Sequence, residues 1–426
     1  MISLQEFIKR SPSPWHAVQT AIAVLKEHGF AHVRESEPFV SDRPIVYSRD
    51  RTQFIAYIPG TTTSAGFSSV QSHTDSPALR ILQNGELKSN GSMFTVPCEP
   101  YSGPVLSRWL DRPLQLAGQI SYYLNGKLGF KLVHVDKFGF IPSLAPHMLR
   151  GTDQKDWVPE NGDFVVCTTG DYKDKMSISE FAKKIGEIPA EAVVTAVNLE
   201  ISAFECTQFG NILQCPRLDN LASVYASIHG LVSQMKVQTP HTRMICGFNN
   251  EEVGSQTRAG AEGPFLINWW RRVSGLSEKE FSSSLARSFA ASADGGHANH
   301  PIKGAGSCND PVPVLGGGMI IKYGQKQNYA FTDHCVSVAK AICLSNNIKF
   351  QNWIGRSYKM GGGTIGNIVA AGSDMNVVDC GIPMLGMHSC VETCDLQDVE
   401  AFNNYCAGIL MDSCKVLAQA HEEMME

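Results

Sequence analysis

Three apolar runs that end abruptly in acidic or imidazole side chains constrain this fold more than any other feature. "GFSSVQSHTDSP" reaches His73 and Asp75, "RMICGFNNEEVGS" reaches Glu251 and Glu252, and "AASADGGHANHP" reaches Asp294. The runs read as strands, and the carboxyl ends of strands in an open α/β sheet are where such sheets collect their ligands. Glu251 beside Glu252 is the sharpest signal, because neighbouring carboxylates repel and are costly where water is scarce.

The spacing of the remaining elements divides the chain. At 426 residues it exceeds the roughly 250–300 at which a single core stops growing, so two units are expected. A helical start is broken by "SPSP" and resumes in "WHAVQTAIAVLKEHGF". From about residue 95 to 205 the texture becomes short alternating runs such as "LQLAGQISYYL" and "KLGFKLVHV", the look of a β-rich unit. Helix and strand then alternate again to the end, with a helical C-terminus from about Asp398. The fold class is therefore α/β: a mixed-sheet domain made of residues 1–94 and 206–426, interrupted by a mostly β insertion over 95–205. No internal repeat or low-complexity segment is present.

Composition excludes several partners. A formal charge of −5 without blocks of like charge predicts no attraction to nucleic acid or membrane. The first residues lack the charged start and apolar core of a signal peptide, and no apolar run approaches a membrane span. The 13 cysteines, scattered without CxxC pairs, suit buried free thiols in a reducing compartment. A cytoplasmic protein is expected.

Two more motifs join the strand-end series: Asp219 in "RLDN" and His388 in "MHSCVE". Two imidazoles and several carboxylates at one sheet edge supply ligands suited to zinc, or to manganese or cobalt with more oxygen. A two-metal hydrolase needs a bridging carboxylate, histidine and acidic ligands on each ion, and one more carboxylate to take a proton from the attacking water. Taken singly, each motif has a plainer reading. A histidine is usually a hydrogen-bonded core or surface residue, "EE" sits on solvated helix faces, "RLDN" suits an Asp N-cap, and "SADGGH" suits a turn. Their conjunction in this order carries the argument.

The ordered series "SPSPWHAV", "SHTDSP", "IPSLAPHMLR", "PRLDNL", "NNEEVGS", "SADGGHANHP", "GGGTIG" and "MHSCVET" resembles the aspartyl aminopeptidase family of dinuclear zinc metallopeptidases, over about residues 7 to 410. The resemblance implies a zinc-exopeptidase-like catalytic domain that removes N-terminal, preferentially acidic, residues from peptides. It implies that His73 and Asp294 bind one zinc, that Glu252 and His388 bind the other, and that Asp219 bridges them. Glu251 would be the general base and Asp75 would orient His73. The insertion would mediate dimerisation and carry His147 to a neighbouring subunit's site, in a homododecamer built from dimers. Lys322 would face an acidic substrate side chain, His297 and His300 would line the pocket, and Gly361 to Gly363, with Gly362 at the centre, would form its backbone wall. Two departures stand out: Tyr358 and Lys359 lie where an acidic residue is usual, and "NILQCPRLDN" replaces the usual acidic approach to the bridging aspartate.

Overall fold

The computed structural model describes the chain except residues 38–41, 151–158, 161–163, 305–307, 357–361 and 426. Its first sheet has nine strands, in the order Ala31–Arg34, Ile45–Arg49, Gln53–Ile58, Thr242–Phe248, Phe67–His73, Phe289–Ala293, Asn376–Gly381, Met319–Gly324 and Phe350–Gly355. The four strands from Thr242–Phe248 to Asn376–Gly381 run parallel, and Met319–Gly324 is antiparallel to its neighbour.

Both faces of this sheet are covered, so its central strands are buried almost throughout, polar residues such as Ser68, Gln71 and Asp379 included. Successive side chains still alternate between two cores. Phe54, Val70, Ile245, Ala291 and Val378 pack beneath the helices Pro14–Glu27, Leu218–Ser233, Asp333–Ser345 and Leu396–Met425. Ile55, Phe67, Met244, Ala290 and Val377 face the helices Phe265–Ser274, Glu278–Ala286 and Ile365–Ser373. Pro14 opens its helix at a position where the missing N–H is harmless.

The second sheet has eight strands drawn from Ala78–Ile81 to Val193–Ser202, with its own core around Leu116, Phe138, Phe181 and Leu199. It starts upstream of the change in texture at residue 95, because the short strands Ala78–Ile81 and Glu86–Asn90 pair into it. The thiol expectation needs one correction. Cys206 and Cys215 form a disulfide, while the other cysteines are free. The hairpin register pairs Thr207 with Gln214, which sets Cys206 opposite Cys215 with Cα atoms 4.3 Å apart, within bonding reach.

Candidate metal centre

The parallel register gathers the strand-end residues at one edge. His73 ends its strand directly opposite Phe248, after which the chain turns through Asn250 in a left-handed conformation to present Glu251 and Glu252. Asp294 follows the adjoining strand Phe289–Ala293. Asp219 lies in the first turn of the helix Leu218–Ser233, but its own φ and ψ are not helical and Arg217 occupies the N-cap. Its carboxylate is therefore not a cap; it faces two imidazoles.

Asp219 presents one oxygen to each ring: Oδ1 lies 3.4 Å from His73 Nε2 and Oδ2 lies 3.5 Å from His388 Nε2. Asp294 Oδ1 is 4.0 Å from His73 Nε2, Glu252 Oε2 is 3.5 Å from His388 Nε2, and Glu251 Oε2 is 3.8 Å from His73 Nε2. Three donor groups result, His73 with Asp219 and Asp294, Asp219 with Glu252 and His388, and His73 with Glu251 and Glu252; the first two share Asp219. The candidate ligand atoms of each group all lie within 4.8 Å of one another.

The far side of each ring is also held. His73 Nδ1 is 3.0 Å from the Asp75 carbonyl oxygen, and His388 Nδ1 is 3.2 Å from that of Gly103. Each contact favours the tautomer with its proton on Nδ1, leaving the Nε2 lone pair toward the carboxylates. The Asp75 carboxylate accepts the Glu251 and Glu252 backbone N–H groups at 3.2 and 3.3 Å. It binds no ring edge on the donor side, so its place is behind the donors.

The electrostatics show how strongly this cluster demands positive charge. Burial, reinforced by Asp294, Asp219 and Asp75, pushes Glu251 up to about 8 despite His73. Burial and the Asp219 charge raise Glu252 well above the carboxylate range. Burial raises Asp294 to about 6 against the opposing pull of Lys322. Burial disfavours a charged His388, yet Asp219 and Glu252 raise it to about 10. For Asp219, burial acts upward, but His388 and His73 outweigh it and hold the carboxyl below its ordinary range. With the side chains alone, protons gather where cations would sit.

The residues fit a metal. Asp219 Oδ1 and Glu252 Oε1 are buried without a hydrogen-bond partner, an expensive condition for carboxylate oxygens unless a cation meets them. Two imidazole nitrogens among several carboxylates form a donor set that zinc accepts, as manganese and cobalt do.

The site opens into a cavity of about 480 Å³ lined by Lys322, Tyr329, Trp353, His297 and Gly362, among others. Lys322 does not end in solvent; it is 3% exposed, and its ammonium donates to the Gly295 carbonyl at 2.6 Å. Burial acts to lower its pKa, but Asp294, Tyr329 and Asp379 hold it above the usual lysine value. His297 sits at the exposed mouth. Of the residues expected to line the pocket, His300 is not brought to this cavity; His147 is expected at a neighbouring subunit's site. His300 is exposed, with Nδ1 accepting the Ile302 and Lys303 N–H groups. His147 is exposed on the turn Pro146–Leu149 of the second unit. Tyr358, Lys359 and Gly361 lie outside the described residues; Gly363 lines the cavity beside Gly362.

Sequence reasoning missed Glu392. It is buried, and its two oxygens accept the backbone N–H groups of His388 and Asp219, each at 2.8 Å. Its only sequence signal was a place four residues after His388. Tyr101 was missed as well; its hydroxyl donates to Asp75 Oδ2 at 2.7 Å.

A sheet covered by helices on both faces, with two imidazoles and four carboxylates at the carboxyl edge of its parallel strands, defines an α/β metal centre. A profile for aminopeptidase I zinc metalloproteases (M18) matches residues 7–406. A probable M18 family aminopeptidase 2 of Clostridium novyi is 33% identical over 417 residues, covering 93% of this chain and 94% of its own. Its counterpart in Clostridium acetobutylicum is 32% identical with the same coverage. A chain in the cryo-EM structure of the Ape4 and Nbr1 complex superposes with a TM-score of 0.89 at 26% identity, covering 98% of this chain and 86% of that one. The chain belongs to the M18 family of zinc metalloproteases, and is a metalloaminopeptidase acting on peptides.

Proposed function

We propose that this chain releases acidic N-terminal residues from peptides with two zinc ions and Glu251 as general base. The observation that carries the reading is the opposed pair of donor groups sharing Asp219. His73 and Asp294 would hold one ion, Glu252 and His388 the other. Bound zinc supplies Lewis acidity toward the peptide carbonyl and acidifies water. Glu251, beside both donor groups, takes the proton of the attacking water and returns it to the leaving amine. Asp75 and Glu392 keep the donors in place through backbone N–H groups, so little reorganisation is needed during reaction. The cavity admits a chain terminus, and its acidic wall complements a free α-ammonium.

Lys322 supports the acidic preference because its ammonium is buried in the cavity wall, where a substrate carboxylate would meet it. One observation favours a neutral preference instead: the same ammonium already bonds Gly295 and neighbours Asp294 and Asp379. Homo-oligomerisation belongs to the proposal too. A similar fold, at 21% identity and a TM-score of 0.85, is described as the dodecamer of S. cerevisiae mApe1. The second sheet here exposes Tyr123, Leu128 and Phe130, and the turn Pro146–Leu149 exposes Met148, apolar groups suited to another subunit, and His147 would then reach that subunit's site.

The test is hydrolysis of Asp-, Glu-, Leu- and Lys-aminoacyl substrates with zinc, beside Glu251→Gln. The expected result is fastest cleavage of the Asp and Glu substrates, with the variant slowed by about 10²–10⁴ in kcat and still binding two zinc ions. Faster cleavage of Leu would remove the acidic pocket, and an active Glu251→Gln would remove the base.

A further inference from the structure

The strand Met93–Tyr101 of the second sheet runs into the metal centre, and the next residues touch it at several points. Ser102 Oγ donates to Glu252 Oε2 at 2.6 Å. The Gly103 carbonyl meets His388 Nδ1, and the Val105 N–H donates to the His388 carbonyl at 2.9 Å. Tyr101, donating to Asp75, also accepts from Asn250 at 3.0 Å, and the Arg80 guanidinium stacks 3.5 Å over its ring. Glu252 lies in the turn after the strand Thr242–Phe248, whereas His388 lies between the short strands Pro383–Met384 and Glu392–Asp395, outside the first sheet. Among the described residues, this short stretch of the second unit contacts both.

Ser102 carries a second clue in its backbone. Its φ is 69°, in the left-handed region that glycine occupies without strain and serine does not. The hydroxyl occupies one lone pair of Oε2 and fixes the rotation of the carboxylate, whose Oε1 lies buried without a partner. A strained serine is thus spent on a single carboxylate at the donor group.

We infer that Tyr101–Gly103 is a positioning strap for the Glu252–His388 donor pair, with the Ser102 hydroxyl as its decisive contact. The second unit is then part of the metal centre within one chain, in addition to any role between chains. The inference rests on the reading of these donors as zinc ligands.

The experiment titrates zinc against a competing chelator on the full chain, for wild type, Ser102→Gly and Ser102→Ala, and records thermal unfolding of each chelator-treated form. In Ser102→Gly one ion should weaken by about 10- to 100-fold, as when a partner behind a ligand is lost. The other ion should bind as in wild type, and kcat should fall with KM unchanged. The chelator-treated glycine variant should unfold no earlier than wild type, since glycine relieves the backbone. Ser102→Ala, which keeps the strain and lacks the hydroxyl, should lose the same zinc affinity. Wild-type affinity for both ions in either variant would overturn the strap. So would a zinc loss that tracks a loss of stability in Ser102→Gly. A wild-type chain binding fewer than two ions would overturn the two-ion reading instead; the strap then stands or falls on whether the bound ion weakens in Ser102→Gly.

Discussion

Asp219 shows how much positioning one carboxylate requires. Its N–H donates to Glu392, its carbonyl accepts from Ser76 Oγ at 2.6 Å, and the next side chain, Asn220, donates to the Ala293 carbonyl at 2.8 Å. Each bond reaches a different part of the chain, so the two carboxylate oxygens are aimed by the whole fold. Glu392 ties this arrangement to His388. Replacing it with glutamine turns one of two acceptors into an amide that faces a backbone N–H. Glu392→Gln is expected to lose about 1–3 kcal/mol of stability and at least about tenfold in zinc affinity, measured by denaturant unfolding and chelator competition. At this scale the donors were legible because they end apolar runs. Glu392 was not, because its bond to Asp219 spans 173 residues and its partners are main-chain groups that leave no mark on sequence. Lys322 was placed at the cavity only through the resemblance, because its strand alone does not say which side it faces; it lies in the sheet with Asp379 as its register partner and lines the cavity.

Strand packing sets the distances between donors. Gly381 lies so close to the end of the neighbouring strand that an added Cβ would meet the Asp294 carbonyl oxygen at 1.6 Å. That oxygen is backbone, so the strand itself must move. Gly381→Ala is expected to displace Asp294, costing about 1–3 kcal/mol and weakening the ion proposed at His73 more than the one proposed at His388. Isothermal titration with zinc would show whether one binding step shifts alone. The strands themselves were legible in "QFIAYIP" and "GFSSVQSH"; both are buried along their whole length, and in the second the covered sheet also buries Ser68, Ser69, Gln71 and Ser72. Less legible was where the second sheet begins, because Ala78–Ile81 is short and follows the site residues without a break in composition. The disulfide was hidden for a similar reason: only the hairpin register brings Cys206 and Cys215 together.

Over the whole molecule, the buried acids couple stability to pH and metal. Without zinc, the folded chain keeps protons on Glu251 and Glu392, both raised to about 8 chiefly by burial, and on His388 at about 10. The unfolded chain releases those protons at ordinary carboxylate and imidazole values. Histidines lowered by burial, such as His16 at about 4, have the opposite sign, but their contribution fades above about pH 7, where the unfolded imidazole is mostly neutral as well. From about pH 7 to 9 the folded state therefore binds more protons, and stability must fall as pH rises. Zinc displaces those protons, so the stabilisation it gives should grow over the same range. Unfolding temperatures of chelator-treated and zinc-loaded protein across that range should diverge; parallel curves would contradict the linkage.

The donor residues are also ordered in time. A chain made from its N-terminus carries His73 early, then most of the second sheet, and acquires Asp219, Glu252 and Asp294 only afterwards. His388 comes later still, followed by the helix Leu396–Met425 that covers the sheet. No nascent fragment short of His388 holds both of the donor groups that share Asp219. A centre whose candidate donors are supplied in this order is complete only once His388 has been made.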